Sequence, residues 1–165
     1  MKPAASPNAA SAPRLRAVRY ENFDELLADA EAMARVEVMT LGRWSQGQIY
    51  DHIARALHYS IDDSGSAWPA LAQLFASRLL RTRFLTRTTP AGRTTLPSLV
   101  PSQMSVADGL ASLTRAVERV RRTPSRAVHF ALGRISAAEW DQFSLRHAEL
   151  HMNHIVPQQE TAGTS

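Results

Sequence analysis

The sequence predicts an all-α fold, a four-helix bundle with up to five helices and a long Pro/Thr/Arg-rich connection. In several segments, apolar residues recur at steps of three and four behind a capping residue, which is typical of amphipathic helices. No segment alternates apolar and polar residues as a half-buried strand does, and no internal repeat is present. The simplest architecture is an antiparallel bundle with one long crossover, in which sites form from inward side chains on facing helices.

The composition limits the class of protein. The 165 residues are 44% hydrophobic, enough for one domain with a core, and no run approaches the roughly 20 apolar residues of a membrane span. The absence of cysteine excludes disulfides, thiolate nucleophiles and cysteine-based zinc sites. It agrees with a reducing compartment, and we expect a cytoplasmic protein.

The chain is basic, with a net charge of +4. Many arginines lie between Arg78 and Arg93 and between Arg115 and Arg126. Such a surface either binds nucleic acid or another anion, or consists of solvated helix faces and a loop. Because no helix-turn-helix or RNA-binding signature accompanies the charge, nucleic acid is not the expected partner.

Both ends of the chain are predicted to lie outside the domain. Residues 1–20 are rich in Ala, Ser and Pro, and we expect a disordered tail there. This tail lacks the apolar core of a signal peptide. One helical bundle domain is predicted at residues 21–157, followed by a frayed polar tail at residues 158–165.

The first two helices are predicted from their caps. Asn22 with Glu25 indicates the start of an amphipathic helix that ends between Thr40 and Gly42. Ser45 and Gln48 form a capping box that opens the second helix. The apolar stripe of this second helix consists of Ile49, His52, Ile53, Ala56 and Leu57.

A histidine therefore stands inside an apolar stripe. Taken alone, His52 is either a satisfied core histidine or a candidate metal ligand. His58 lies six residues further on, roughly 240° around the helix, so it is predicted to face away at the surface.

The middle of the chain is predicted to hold a helix and then an irregular connection. Helical spacing runs from Trp68 to Phe84, and Pro69 suits a first turn. Residues 86–102 contain three prolines and several threonines, and a connection of this length is often a lid or a binding segment. Arg87 and Arg93 either face an anionic ligand there or are solvated.

A further helix is predicted to start at Ser105, which pairs with Asp108 as a cap, and to stop at Pro124. Its core stripe is formed by Val106, Leu110, Leu113, Val117 and Val120. His129, in the connection that follows, is either a fourth polar group near a site or a loop residue.

The last helix carries three of the six histidines. A capping box of Ser136 and Glu139 opens it, and Pro157 is predicted to stop it. One face repeats at steps of three and four residues: Trp140, Phe143, His147, Leu150, His151 and His154.

His147 and His151, one turn apart, can ligate a single ion, although a hydrogen-bonded or half-exposed pair of histidines gives the same pattern. His52 is the candidate third ligand. Glu149 points about 160° away from the histidines and is not assigned as a base.

Together these motifs resemble the DinB/YfiT-like superfamily, and within it the DUF1569 branch. The resemblance is carried by residues 44–52, by residues 133–140 and by the His147–x–x–x–His151 pair. The proline-rich middle, from Thr86 to Pro101, also resembles that branch, and the match spans residues 22–155.

The resemblance implies a four-helix bundle that holds a divalent metal ion with His52, His147 and His151. Superfamily members include metal-dependent thiol transferases, isomerases and hydrolases, whereas the DUF1569 branch has no assigned function. His154 stands where relatives often have glutamine, and it either donates a hydrogen bond beside the ion without binding it, is a fourth ligand, or does neither.

Three functions follow from these observations. The first is a metal-dependent enzyme, an S-transferase or a hydrolase. Its substrate is a small molecule, either a low-molecular-weight thiol or a compound with a hydrolysable bond. The second is a non-catalytic bundle whose histidines are structural or bind metal without turnover. The third is a basic module for nucleic acid or another anion. Imidazole ligands suit Zn, Ni or Fe, and any thiolate must come from the substrate. The sequence leaves open whether the chain forms a homodimer.

Overall fold

The computed structural model describes residues 14–62, 96–129 and 132–158. Within these ranges the fold is the predicted all-α four-helix bundle, with one small sheet added. Its helices are α1 (Phe23–Ala34), α2 (Gln46–Tyr59), α3 (Val106–Arg122) and α4 (Ala137–Met152). The other elements are strands β1 (Val38–Thr40) and β2 (Ile155–Pro157) and a 3₁₀ turn at Pro97–Leu99.

The four helix starts predicted within the described residues are confirmed. The side chains of Asn22 and Ser105 each accept a hydrogen bond from the backbone N–H three residues further on. Ser45 and Ser136 each form a complete capping box, in which the side chain three residues on also accepts from the N-cap backbone. These contacts satisfy N–H groups that the first turn leaves without a partner.

The core lies where the apolar faces of the four helices meet. Its members on α2 and α3 are largely the predicted ones: Ile49, Ile53, Leu57, Leu113, Val117 and Val120. Helix α1 contributes Leu26 and Ala30. On α4 the core face is instead Leu145, Ala148 and Met152. The predicted α4 stripe is a different face, in which Trp140 is buried and the other residues are half-buried.

Helices α2 and α3 run parallel at very short separation. Gly47 and Gly109 meet near their starts, and a Cβ at Gly109 would lie 2.4 Å from the Gly47 carbonyl oxygen. Further along, Asp51 lies near Ser112 and His58 near Arg119. Two parallel helices need a long connection between them, which agrees with the predicted crossover.

The two-stranded sheet was not predicted, and it shortens two helices. Strands β1 and β2 pair antiparallel, with Met39 opposite Val156. The first helix therefore ends at Ala34 rather than near Thr40, and α4 ends at Met152 rather than at Pro157. Three-residue strands are too short to show alternation, so the backbone pairing that forms them is visible only in the fold.

Residues 14–20, which the sequence analysis assigns to the tail, lie along the end of α4. The Arg16 backbone N–H donates to the Asn153 carbonyl, and the Tyr20 N–H donates to the Glu149 carboxylate. Arg16 also forms a two-point ion pair with Asp29 on α1.

Several predictions fall outside the described residues. These are the helix from Trp68 to Phe84, the connection from residue 86 to residue 95, the arginines from Arg78 to Arg93, and residues 1–13 and 159–165. None of the described helices has both the length and the apolar composition needed to cross a membrane.

Candidate metal centre

His52 lies on the buried face of α2, between the core residues Ile49 and Ile53, and is 1% exposed. Its Nδ1 stands 2.7 Å from the backbone carbonyl oxygen of Leu99, the last residue of the 3₁₀ turn that packs on α2. A carbonyl can only accept, so Nδ1 carries the proton, and the neutral ring has its lone pair at Nε2. The Leu99 carbonyl therefore fixes the tautomer that leaves Nε2 able to bind a cation.

Helix α4 presents His147 and His151 to α2 because its opposite side is held in place. Glu149, fully buried, accepts a hydrogen bond of 2.8 Å from the Tyr20 backbone N–H and pairs with Arg146 at 2.7 Å. Arg146 in turn donates to the Tyr20 carbonyl. Glu149 points about 160° away from His147 on the helix. Its contacts on that side therefore turn both histidines toward His52.

The three imidazoles converge on one point. The Nε2 atoms of His147 and His151 each lie 3.1 Å from Nε2 of His52. One ligand atom from each residue lies within 4.8 Å of the others. Two nitrogens that bind one ion at about 2.0–2.1 Å stand roughly 3 Å apart, so the spacing fits a shared cation. We call His52, His147 and His151 the histidine cluster.

Hydrogen bonds within the histidine cluster satisfy it less well than a cation does. The lone pair of His52 Nε2 can accept one N–H, yet two Nε2 atoms face it at the same distance. A cation at the centre is complementary to three lone pairs at once. The donor set thus fits the divalent ion that the motif resemblance implies.

Burial lowers the pKa of all three rings below the ordinary value. Loss of hydration is the main cause for His52, and the Leu99 carbonyl opposes it. Burial, followed by repulsion from the neighbouring rings, lowers the pKa of His147 to about 3 and that of His151 to about 2. The rings are neutral at pH 7, which is the form in which imidazole binds a metal ion.

A cavity of about 140 Å³ adjoins the histidine cluster. Seven residues line it, namely Leu41, Gly42, Arg43, Trp44, Ile49, His151 and His154. The Trp44 ring covers two of the imidazoles, with centroids 4.5 Å from His52 and 5.5 Å from His151. A molecule in the cavity would therefore contact a member of the cluster directly, beside an aromatic wall.

His154 lies in the wall of this cavity, outside the histidine cluster. Its Nδ1 contacts the backbone carbonyl of Leu41, and the Leu41 N–H donates to the His154 carbonyl at 2.8 Å. These contacts continue the β1–β2 pairing by one residue. Because Nδ1 donates to a carbonyl, the proton acceptor of the neutral ring is Nε2.

The other two histidines do not join the cluster. His58 is half-buried, and its Nδ1 accepts from Arg119 at 3.0 Å on the side that faces α3. His129 is fully buried and accepts at Nδ1 from the Leu132 N–H. Its ring contacts Trp140 and Phe143, and Phe143 stacks on His147. It therefore supports the wall behind His147 rather than the site itself.

Sequence reasoning did not single out three parts of the site: the Leu99 carbonyl, Trp44 and Arg43. A backbone carbonyl leaves no signal in the sequence. Trp44 did have one, since the residue before an N-cap often packs on the fourth helical residue, here Ile49. Both Trp44 and Ile49 line the cavity.

Comparisons with known proteins gave one match. No curated protein and no solved structure matched the chain. A family model described as a protein of unknown function, DUF1569, matches residues 12–158, which include the histidine cluster, the cavity and all four described helices. The chain therefore belongs to the DUF1569 family.

Proposed function

We propose that the protein is a divalent-metal-dependent enzyme of the DinB/YfiT-like type that acts on a small molecule, either as an S-transferase on a thiol or as a hydrolase. The observation that carries the proposal is the convergence of three Nε2 atoms, two of them 3.1 Å from the third. The motif resemblance to that superfamily supports the same ligands. Three imidazoles with an open position are typical of catalytic rather than structural sites.

In this proposal His52, His147 and His151 hold the ion, which is Zn, Ni or Fe. When bound, such an ion supplies Lewis acidity that lowers the pKa of a coordinated water or thiol. Because the chain has no cysteine, the thiol belongs to the substrate. Trp44 covers two rings of the cluster and limits the access of bulk water to them.

The role that we assign to His154 is to receive a proton from a molecule bound in the cavity. Its ring lies in the cavity wall, and its contact with the Leu41 carbonyl holds the proton of the neutral ring at Nδ1. Nε2 is then the acceptor.

Elemental analysis tests the proposal. Protein purified without a metal-affinity column is expected to carry about one equivalent of Zn, Ni or Fe, or to bind one after dialysis against a chelator. Failure to bind any of these ions would overturn the proposal. A metal-loaded protein that turns over neither thiol acceptors nor hydrolysable esters, compared with its metal-free form, would instead favour the non-catalytic alternative.

The basic-module alternative has less support. Most arginines of α3 and the connection after it are engaged in ion pairs: Arg119 with Asp62, Arg121 with Asp24, Arg122 with Glu118 and Arg126 with Asp141. A guanidinium that is paired with a carboxylate attracts a phosphate less strongly, because the carboxylate neutralises its charge. We expect nucleic-acid binding no tighter than about 10⁻⁴–10⁻⁶ M at physiological salt, and a sub-micromolar complex would reverse this ranking.

A further inference from the structure

The cavity beside the histidine cluster combines apolar walls with one strong cation. The side chains of Leu41, Trp44 and Ile49 contribute apolar surface to its wall. The cavity has a volume of about 140 Å³. A single water needs roughly 10–15 Å³, so the space suits a small organic molecule. The walls favour a molecule with an apolar body.

The cation is Arg43, an exposed residue in the cavity wall. Most other arginines of the described ranges have an acidic partner, as Arg16 has in Asp29 and Arg55 in Asp51. No described carboxylate lies within ion-pair distance of Arg43. A guanidinium presents its donors in a fixed planar fork, which matches the two oxygens of a carboxylate.

We propose that the cavity binds a small carboxylate-bearing molecule whose carboxylate pairs with Arg43 and whose reacting end reaches the histidine cluster. The part of this inference that concerns the reacting end rests on the proposed function. The Arg43 part rests on the cavity alone. His151 and Arg43 line the same cavity, so one molecule can contact both, with its apolar body against Trp44.

The test uses two thiols of nearly the same shape that differ in charge: 3-mercaptopropionate and its amide, 3-mercaptopropionamide. The full-length protein is loaded with Co²⁺, and each thiol is titrated while the thiolate-to-cobalt absorption is followed. The wild type is expected to bind the carboxylate roughly tenfold more tightly than the amide, and added salt should reduce this preference. Arg43→Gln should abolish the preference and leave the affinity for the amide unchanged.

Arg122→Gln is the matched control. Arg122 is also an exposed arginine, but it ends α3 at the far end from the start of α2, and it should keep the wild-type preference. Equal weakening of both thiols by Arg43→Gln would overturn the proposal, because the loss would then come from packing. Equal affinity of the wild type for the two thiols would also overturn it.

A metal-free arm separates this inference from the proposed function. If neither Co²⁺ nor any of Zn, Ni and Fe binds, the proposed function fails, but propionate and propionamide can still be titrated into the metal-free protein. The indole N–H resonance of Trp44, assigned with Trp44→Phe, reports binding. A preference for propionate that Arg43→Gln removes supports the carboxylate site by itself, and the lack of such a preference overturns it.

Discussion

At the residue scale, the candidate centre depends on how each imidazole is held. The Leu99 carbonyl fixes the tautomer of His52, and Trp44 and Phe143 pack on the rings of the cluster. His154 has a different partner, the Leu41 carbonyl, and lies in the cavity wall. The histidines of α4 and the one beyond it should therefore respond differently to substitution.

Alanine variants distinguish a ligand from a supporting residue. His52→Ala and His147→Ala should each abolish most Zn²⁺ binding in a chelator-competition titration, because a three-ligand site has no spare donor. His154→Ala should cost no more than about 10–100-fold in affinity or activity. His58→Ala, a change on the same helix as His52 but outside the cluster, should leave Zn²⁺ affinity unchanged. Loss of binding in His154→Ala together with retention in His147→Ala would contradict the assignment.

Buried His129 should make the metal-free protein less stable in acid. Burial lowers its pKa to about 4, so between the ordinary value near 6.5 and pH 4 the unfolded chain binds a proton that the folded chain does not. The free energy of unfolding should therefore fall as the pH falls through this window. The His129 contribution between pH 7 and pH 5 is about 2 kcal/mol.

Urea unfolding at several pH values, with a chelator present, measures this dependence. His129→Phe removes the group and should make the slope between pH 7 and pH 5 shallower, whatever the variant does to the absolute stability. A slope should remain, because burial also lowers the pKa of the three rings of the histidine cluster. An unchanged slope would show that His129 takes up a proton equally easily in both states.

At the element scale, α4 is the helix on which the site depends, and its orientation is fixed from behind. Glu149 binds the Tyr20 backbone and Arg146 on the face opposite to the histidines. The segment from Arg16 to Tyr20 thus holds the last turns of α4 in place. The fold needs this segment, although its sequence resembles a tail.

Removing the charge of Glu149 tests this anchor. Glu149→Gln keeps the size of the side chain but leaves the buried Arg146 guanidinium without its carboxylate, and we expect a loss of about 3–5 kcal/mol in unfolding free energy. Glu118→Gln removes an exposed carboxylate that pairs with Arg122 and should cost less than about 1 kcal/mol. Urea denaturation compares the two variants, and similar losses would argue against the anchor.

At the scale of the whole molecule, the histidine cluster joins two helices that are far apart in the sequence. His52 comes from α2, and the other two histidines come from α4. An ion that binds all three would bind the folded chain but not the unfolded one, so metal binding and folding would be linked.

Zinc should therefore stabilise the fold. At a free Zn²⁺ concentration about 100 times the dissociation constant, linkage adds about 2.7 kcal/mol to the free energy of unfolding. Thermal unfolding followed by circular dichroism should show a higher midpoint with Zn²⁺ than with a chelator. The shift should disappear in His147→Ala and persist in His58→Ala, and a shift that survives in His147→Ala would indicate binding elsewhere.

The sequence alone determined the local features of this protein. Ser45 with Gln48 and Ser136 with Glu139 predicted two helix starts correctly, because a capping box closes its hydrogen bonds within one turn. The four-residue spacing of His147 and His151 placed both on one face for the same local reason. The motifs at residues 44–52 and 133–140, with the His147 and His151 pair, predicted the DUF1569 family. The family model that matches residues 12–158 confirmed that prediction.

Only the tertiary structure decided what depends on contacts between distant residues. From the sequence, His52 was either a satisfied core histidine or a candidate metal ligand. The packing of α2 against α4 brings its Nε2 to 3.1 Å from the Nε2 atoms of His147 and His151, which favours the second role. The ends of α1 and α4 depend on β1 and β2, whose three residues each are too few to show a period. The course of the backbone positions the Leu99 carbonyl and the cavity at Arg43, and the pattern of side chains in the sequence does not show that course. The tautomer of His52 and the space for a ligand therefore became visible only in the fold.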